Sequence, residues 1–272
     1  MLKKRLIFTL IYNDQHYMLS RNFRMQRVGD IQWINKNYNF SHIATSLDEL
    51  IVLDASETKD IYEFSNQLKK LVDMCFIPVA AGGGIRILSD AELLLNSGAD
   101  KLVVNTILFT DPSLVKQLVE IYGNQCIIAS IDFKLINNTP VIFIHNGSEK
   151  LEVDFVDYLH QITELGVGEL YLNSMDKDGT GQGYALEIFD HIPDTVTIPI
   201  IMAGGAGNHH HLFEGITKPN VQAVATANLF NFIGNGLPFA REQLRIAGVP
   251  LSCWDGKEIS SLKNYFGEAN VS

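Results

Sequence analysis

The sequence predicts an α/β protein, a (β/α)8 TIM barrel built from two similar half-barrels. Three observations carry that expectation. Short β-rich runs alternate with helix-period segments, and eight candidate strands can be counted. Two apolar runs end in glycine clusters, Ile77-Pro-Val-Ala-Ala-Gly-Gly-Gly84 and Ile198-Pro-Ile-Ile-Met-Ala-Gly-Gly-Ala-Gly207, with Pro199 answering Pro78 at an offset of 121. Leu229-Phe230 answers Leu108-Phe109 at the same offset, as a duplicated half would. A doubly wound sheet explains neither the eightfold count nor the repeat as well.

The candidate strands are Arg5–Ile11, Glu49–Asp54, Ile77–Ala81, Lys101–Asn105, Cys126–Asp132, Glu169–Asn173, Pro199–Ala203 and Gln222–Thr226. They are short, mostly apolar runs, as strands buried on both faces should be. Ser89–Leu95 has a helical look and follows the first glycine cluster directly. Irregular segments are expected at Asn13–Asp30, after the first strand, and at Leu135–Glu149, after the fifth. Both leave the strand ends where barrel enzymes place their chemistry, and the first is long enough for a mobile flap. Tyr38-Asn-Phe40 reads as the end of the first helix, packed on the barrel. Residues 1–252 are assigned to the barrel and 253–272 to a C-terminal tail, with a terminal helix over Glu258–Phe266 as one option.

The chain has 272 residues, 46% of them hydrophobic, and a formal net charge of −10. That composition supports a large core and argues against nucleic-acid binding through a basic surface. No apolar run reaches membrane-spanning length, and no signal-peptide pattern opens the chain. Cys75, Cys126 and Cys253 are few and scattered, which suggests reduced thiols in a cytoplasmic protein.

Asp132 closes the fifth strand. A carboxylate ending an apolar barrel strand serves acid/base chemistry, contacts substrate or caps the strand. The half-chain offset places its counterpart at Ile11, which cannot exchange a proton. Asp54 and Ser56 follow the second strand. Gly82, Gly83 and Gly84, with Asn105 and Thr106, form one candidate phosphate cradle. Asp178, Gly179, Gly204, Gly205, Ala227 and Asn228 form the other, suited to a substrate with a phosphate at each end. Asp178-Gly179-Thr180 also reads as a simple β-turn. Arg5, Glu49, Lys101 and Glu169 each open a strand. Pointing inward, they would make a ring of alternating charge, either a stabilising plug or a gate on a passage through the barrel. His209-His-His211 reads as a solvated helix start, and no metal site is expected.

Met1–Ile7, Ile77–Arg86, Gly98-Ala-Asp-Lys101 with Asn105-Thr106, Gln125–Asp132, Ser174–Thr180 and Ala203–Gly207 together resemble the HisF family, the cyclase subunits of imidazole glycerol phosphate synthase. The likeness runs from residue 1 to about Ser252. It implies a barrel that docks a HisH-like glutamine amidotransferase on its N-terminal face. Ammonia then passes through the barrel to a phosphorylated small molecule at the other face, without metal or organic cofactor. The family's ammonia gate matches Arg5, Glu49, Lys101 and Glu169. Its docking-face aspartate matches Asp100. Its phosphate loops match Gly82–Gly84, Asn105, Thr106, Asp178, Gly179, Gly204, Gly205 and Ala227, with Asn228 replacing the usual serine.

The departures fall on the chemistry. The family uses two catalytic aspartates, and here the first-strand position is Ile11. Its flap lysine falls near Leu19. Loss of one member of an acid/base pair costs on the order of 10²–10⁴-fold in rate. With Ile31–Tyr38, this pattern resembles the HisF-like branch associated with surface-polysaccharide genes, which implies ammonia supply to a sugar amidotransferase. Two alternatives stand beside it. One is a true cyclase, a carbon–nitrogen lyase of histidine biosynthesis, pairing Asp132 with Asp54 or Asp178. The other is a phosphosugar isomerase.

Overall fold

The computed structural model describes residues 3–38, 46–228 and 235–252. Twelve strands are present among them. They are β1 (Arg5–Asn13), β2 (His16–Arg21), β3 (Arg24–Gly29), β4 (Glu49–Asp54), β5 (Val79–Gly82), β6 (Lys101–Val104), β7 (Ile127–Ile136), β8 (Thr139–Ile144), β9 (Glu149–Lys150), β10 (Glu169–Ser174), β11 (Ile200–Ala203) and β12 (Val221–Thr226). Eight of them, β1, β4, β5, β6, β7, β10, β11 and β12, pair in parallel in that order. Pairing of β12 with β1 closes the barrel, which rules out the open doubly wound sheet. The half-chain repeat survives in the strand bounds, since β11 covers the residues of β5 shifted by 121.

Strand alternation sorts the side chains into two cores. Leu6, Phe8, Leu50, Val52, Leu102 and Leu170 point outward and pack beneath the helices. Ile7, Ile51, Ala80, Val103, Ile128, Tyr171, Ile201 and Ala223 fill the lumen. The helices are α1 (Ile31–Tyr38), α2 (Ile61–Val72), α3 (Leu88–Asn96), α4 (Ile107–Thr110), α5 (Pro112–Tyr122), α6 (Phe155–Glu164), α7 (His209–Ile216) and α8 (Gly236–Ile246). Their starts are set by side-chain caps that satisfy otherwise free N–H groups. Asp60 accepts from Tyr62 and Glu63, Asp154 from Val156 and Asp157, and Asn208 from His210 and His211. The three histidines thus open α7.

Two sequence expectations need correction. Asn13–Asp30 and Leu135–Glu149 are not irregular. The first is an antiparallel hairpin in which β2 pairs with β1 and β3 pairs with β2. In the second, β7 runs on to Ile136 and pairs with β8. Asp14-Gln15 and Asn137-Asn138 each hold two consecutive positive φ angles, the tight turn whose twist suits a hairpin. The first hairpin is seated by apolar packing. Tyr17 is buried, its ring meets Tyr12 edge-on, and Tyr12 lies against Phe64. The remainder of the Tyr38–Phe40 run, the Leu229-Phe230 echo, Cys253 and the tail at 253–272 lie outside the described residues.

At the N-terminal end, α8 is clamped to the barrel. The Arg241 guanidinium donates to both oxygens of Asp48 at 2.8 Å and to the Ser252 carbonyl at 2.7 Å. Asp48 also accepts from the Leu6 N–H. Arg241 is only 6% exposed. Removing one partner of such a pair strands a buried charge, so Arg241→Ala should lower stability by about 3–5 kcal/mol. Urea unfolding measures it, and a loss under about 1 kcal/mol would show that the clamp is dispensable.

Candidate functional site

The four charged strand-opening residues all face the lumen at its N-terminal end. Arg5 bonds Glu49 and Glu169. Lys101 Nζ lies 3.0 Å from Glu49 Oε1 and 2.9 Å from Glu169 Oε2. Each cation therefore bridges both acids, and the ring is closed. Burial raises the Glu49 carboxyl above its usual range despite Arg5 and Lys101. Burial also works against the Arg5 charge, but Glu49 and Glu169 outweigh it and its pKa rises. Asp100 is exposed beside Lys101, and its carboxylate accepts from the Val79 N–H at 2.8 Å.

Above the ring the lumen is apolar and lined partly by alanines. The Tyr171 hydroxyl then meets Thr9 Oγ1 at 3.2 Å, joining β10 to β1. Next comes Asp132. Asn173 Nδ2 donates to one of its oxygens at 2.9 Å and Asn105 Nδ2 to the other at 3.1 Å. Burial pushes the Asp132 carboxyl up to about 7, with the two amide bonds opposing and the Asp178 charge adding to the rise. A carboxyl poised there can hold or release a proton near neutrality.

Ile11 faces a cavity of about 40 Å³, room for roughly one water. Leu53, its register partner on β4, shares that wall. Leu19 pairs with Gln26 inside the hairpin and packs on the core. The other two acids hold protein hydrogen bonds, and Asp178 does so while lining the same cavity as Ile11. Asp178 accepts from the Ser20 hydroxyl and, at 3.2 Å, from the Phe23 N–H, so it pins the first hairpin. Asp54 accepts from the Ser56 N–H at 2.9 Å and hydroxyl at 2.6 Å. Burial raises both carboxyls above their ordinary value.

The candidate phosphate residues fall into two groups. Asp178, Gly179, Gly204, Gly205, Ala227 and Asn228 line the small cavity together with Ile11. Gly82, Gly83, Gly84, Asn105 and Thr106 lie apart from it, on the first-half side. Gly83 and Gly204 take positive φ, and a methyl group on either would strike the Asp54 or Ser174 carbonyl at 2.2 and 2.5 Å. Only glycine turns the chain there. Both hairpins reach over the mouth. The His145 N–H donates to Thr106 Oγ1 at 3.3 Å, and the Asn22 side chain donates to the Asp176 carbonyl at 2.7 Å. The β2–β3 and β8–β9 turns meet where Gly147 leaves space for Phe23, beside Met175 from the segment after β10.

Sequence reasoning missed Thr9, Tyr171, Asn173 and Lys59 as participants. Thr9 and Tyr171 lie two residues past lumen-facing Ile7 and Glu169, so counting by twos along each strand would have found them. Lys59 carried no such signal. It sits on the loop after β4, packed against Gly84, and burial lowers its pKa against the pull of Asp54.

Residues 29–234 match the family described as Histidine biosynthesis protein. The chain is 43% identical to a protein provisionally named imidazole glycerol phosphate synthase subunit hisF2, from Parasynechococcus marenigrum (strain WH8102), over 93% of this chain and 95% of that one. It is 36% identical to the imidazole glycerol phosphate synthase subunits HisF of Chlorobaculum parvum and Pelodictyon phaeoclathratiforme, in each case over 92% of this chain and 98% of theirs. With a closed eight-stranded parallel barrel and two glycine turns in register, the chain belongs to the HisF family of histidine biosynthesis proteins.

Proposed function

We propose that this chain docks a HisH-like glutaminase on its N-terminal face and conducts ammonia through the barrel to a phosphorylated acceptor at the other face. The acceptor reaction is sugar amidation in surface-polysaccharide synthesis, shared with a sugar amidotransferase in the cytoplasm. The histidine-pathway cyclisation is impaired. One contrast carries the reading: the charged ring is closed, while Ile11, the half-chain counterpart of Asp132, has no proton to exchange. Exposed Asp100 beside the ring supports docking on that face. An apolar lumen suits passage of a small neutral molecule better than of an ion.

A second reading, the cyclase itself, is favoured by one observation: Asp132 titrates near neutrality, where an acid/base group works best. Against it, Asp54 and Asp178 already hold protein hydrogen bonds. An Asp132→Asn protein with full activity would remove that reading.

Purified with its glutaminase, a Lys101→Met protein should deliver at least about tenfold less glutamine-derived nitrogen per glutamine hydrolysed, about 1.4 kcal/mol in coupling. Arg5→Ala should do the same. If these variants lose stability while coupling stays normal, the ring is only a plug.

Asp132 also sets a pH dependence. Its folded pKa is raised from 3.8 to about 7, so its stabilising effect is complete below about pH 4 and disappears as pH climbs through 7. Asp132→Asn should therefore gain about 1–4 kcal/mol relative to the native chain between pH 4 and 8, seen in urea unfolding at both values. Parallel stability curves would contradict the shift.

A further inference from the structure

The first glycine loop has a cation that its sequence neighbours do not reveal. A methyl group built on Gly84 would sit 3.2, 3.4 and 3.5 Å from Cβ, Cγ and Cδ of Lys59, so the lysine stem lies along the loop. Its Nζ donates to the Asp54 carbonyl at 2.6 Å. That same carbonyl oxygen lies 2.2 Å from a methyl built on Gly83. The ammonium is therefore held beside Gly83-Gly84.

Its charge is incompletely answered. The Asp54 carboxylate is 4.0 Å away and already accepts from Ser56 twice. The carbonyl bond is the one hydrogen bond of Lys59 Nζ among the described residues, which leaves two donors. Arg86, at the end of the same loop, is close enough to repel it. The side chain is 13% exposed, so it is not sealed from solvent. Asp54 and Asp14 attract the ammonium and Arg86 opposes them, so what the site offers an anion is the pair of Nζ donors that the Asp54 carbonyl leaves free.

The other half of the barrel repeats the contact by a different route. Gly205 is the counterpart of Gly84 at the 121-residue offset, and a methyl there would sit 2.9 Å from Cβ of Lys177. Lys59 and Lys177 are not counterparts by that offset. Each half has thus placed a lysine stem on the equivalent glycine from a different loop position.

We propose that Lys59 is the charge-supplying residue of the first-half anion site, selecting a phosphate monoester dianion over a neutral or singly charged group at that end. The proposal rests on the reading that the first glycine loop receives a phosphate. It does not depend on a glutaminase or on ammonia passage.

Isothermal titration of the full chain with inorganic phosphate tests it, using the native protein, Lys59→Gln, Lys59→Arg and Lys177→Gln, with a melting curve for each. Lys59→Gln should weaken one binding event by about tenfold or more, since a charge-assisted contact is lost. Lys59→Arg should retain it, and Lys177→Gln should leave it unchanged. Equal phosphate affinity in native and Lys59→Gln proteins overturns the assignment, as does a fall in melting temperature without a fall in affinity. No phosphate binding by the native chain overturns the assignment together with the loop reading beneath it.

Discussion

Four charges cannot be placed inside a barrel unless they answer one another. Arg5, Glu49, Lys101 and Glu169 do so as a closed cycle in which each group touches two of opposite sign. The cycle fixes which faces of four strands point inward, and every layer above follows from that phase by strand alternation. Stability alone is a poor reason to keep it. A buried ion cluster is often matched or bettered by apolar residues of similar volume. The proposed function supplies another reason, a doorway instead of a floor.

At the opposite end, the same alternation delivers Asp132 between two amides, with apolar Ile11 and Leu53 in the wall nearby. Burial brings the titration of that carboxyl close to physiological pH. The hairpins add a roof, and the first is latched by Asp178, an acid that could otherwise have served chemistry. The charged ring at one end of the lumen is therefore matched at the other by one carboxyl held between two amides, not by a facing pair.

The barrel was legible because buried parallel strands are short apolar runs, and because Pro78 and Pro199 mark equivalent points in two halves. The ring was legible because charges at four strand starts are conspicuous. The hairpins were not. Their turns, Asp14-Gln15 and Asn137-Asn138, lack the glycine that usually announces a two-residue hairpin, so β2 and β8 read as loop. Lys59 was invisible for another reason. A lysine just before a helix looks like a solvated residue, and only its contact with Gly84, some 25 positions on, gives it a place. The half-repeat could not expose it, since Lys177, the lysine beside Gly205 in the other half, arrives out of register.

On the proposed function, the passage is kept while the paired acid/base chemistry is lost. Steady-state turnover with free ammonia and the family's aminoimidazole-forming substrate addresses it most directly, because no glutaminase is needed. The account predicts a rate at least about 10²-fold below that of a family enzyme carrying both aspartates. A native rate equal to that enzyme's would contradict it.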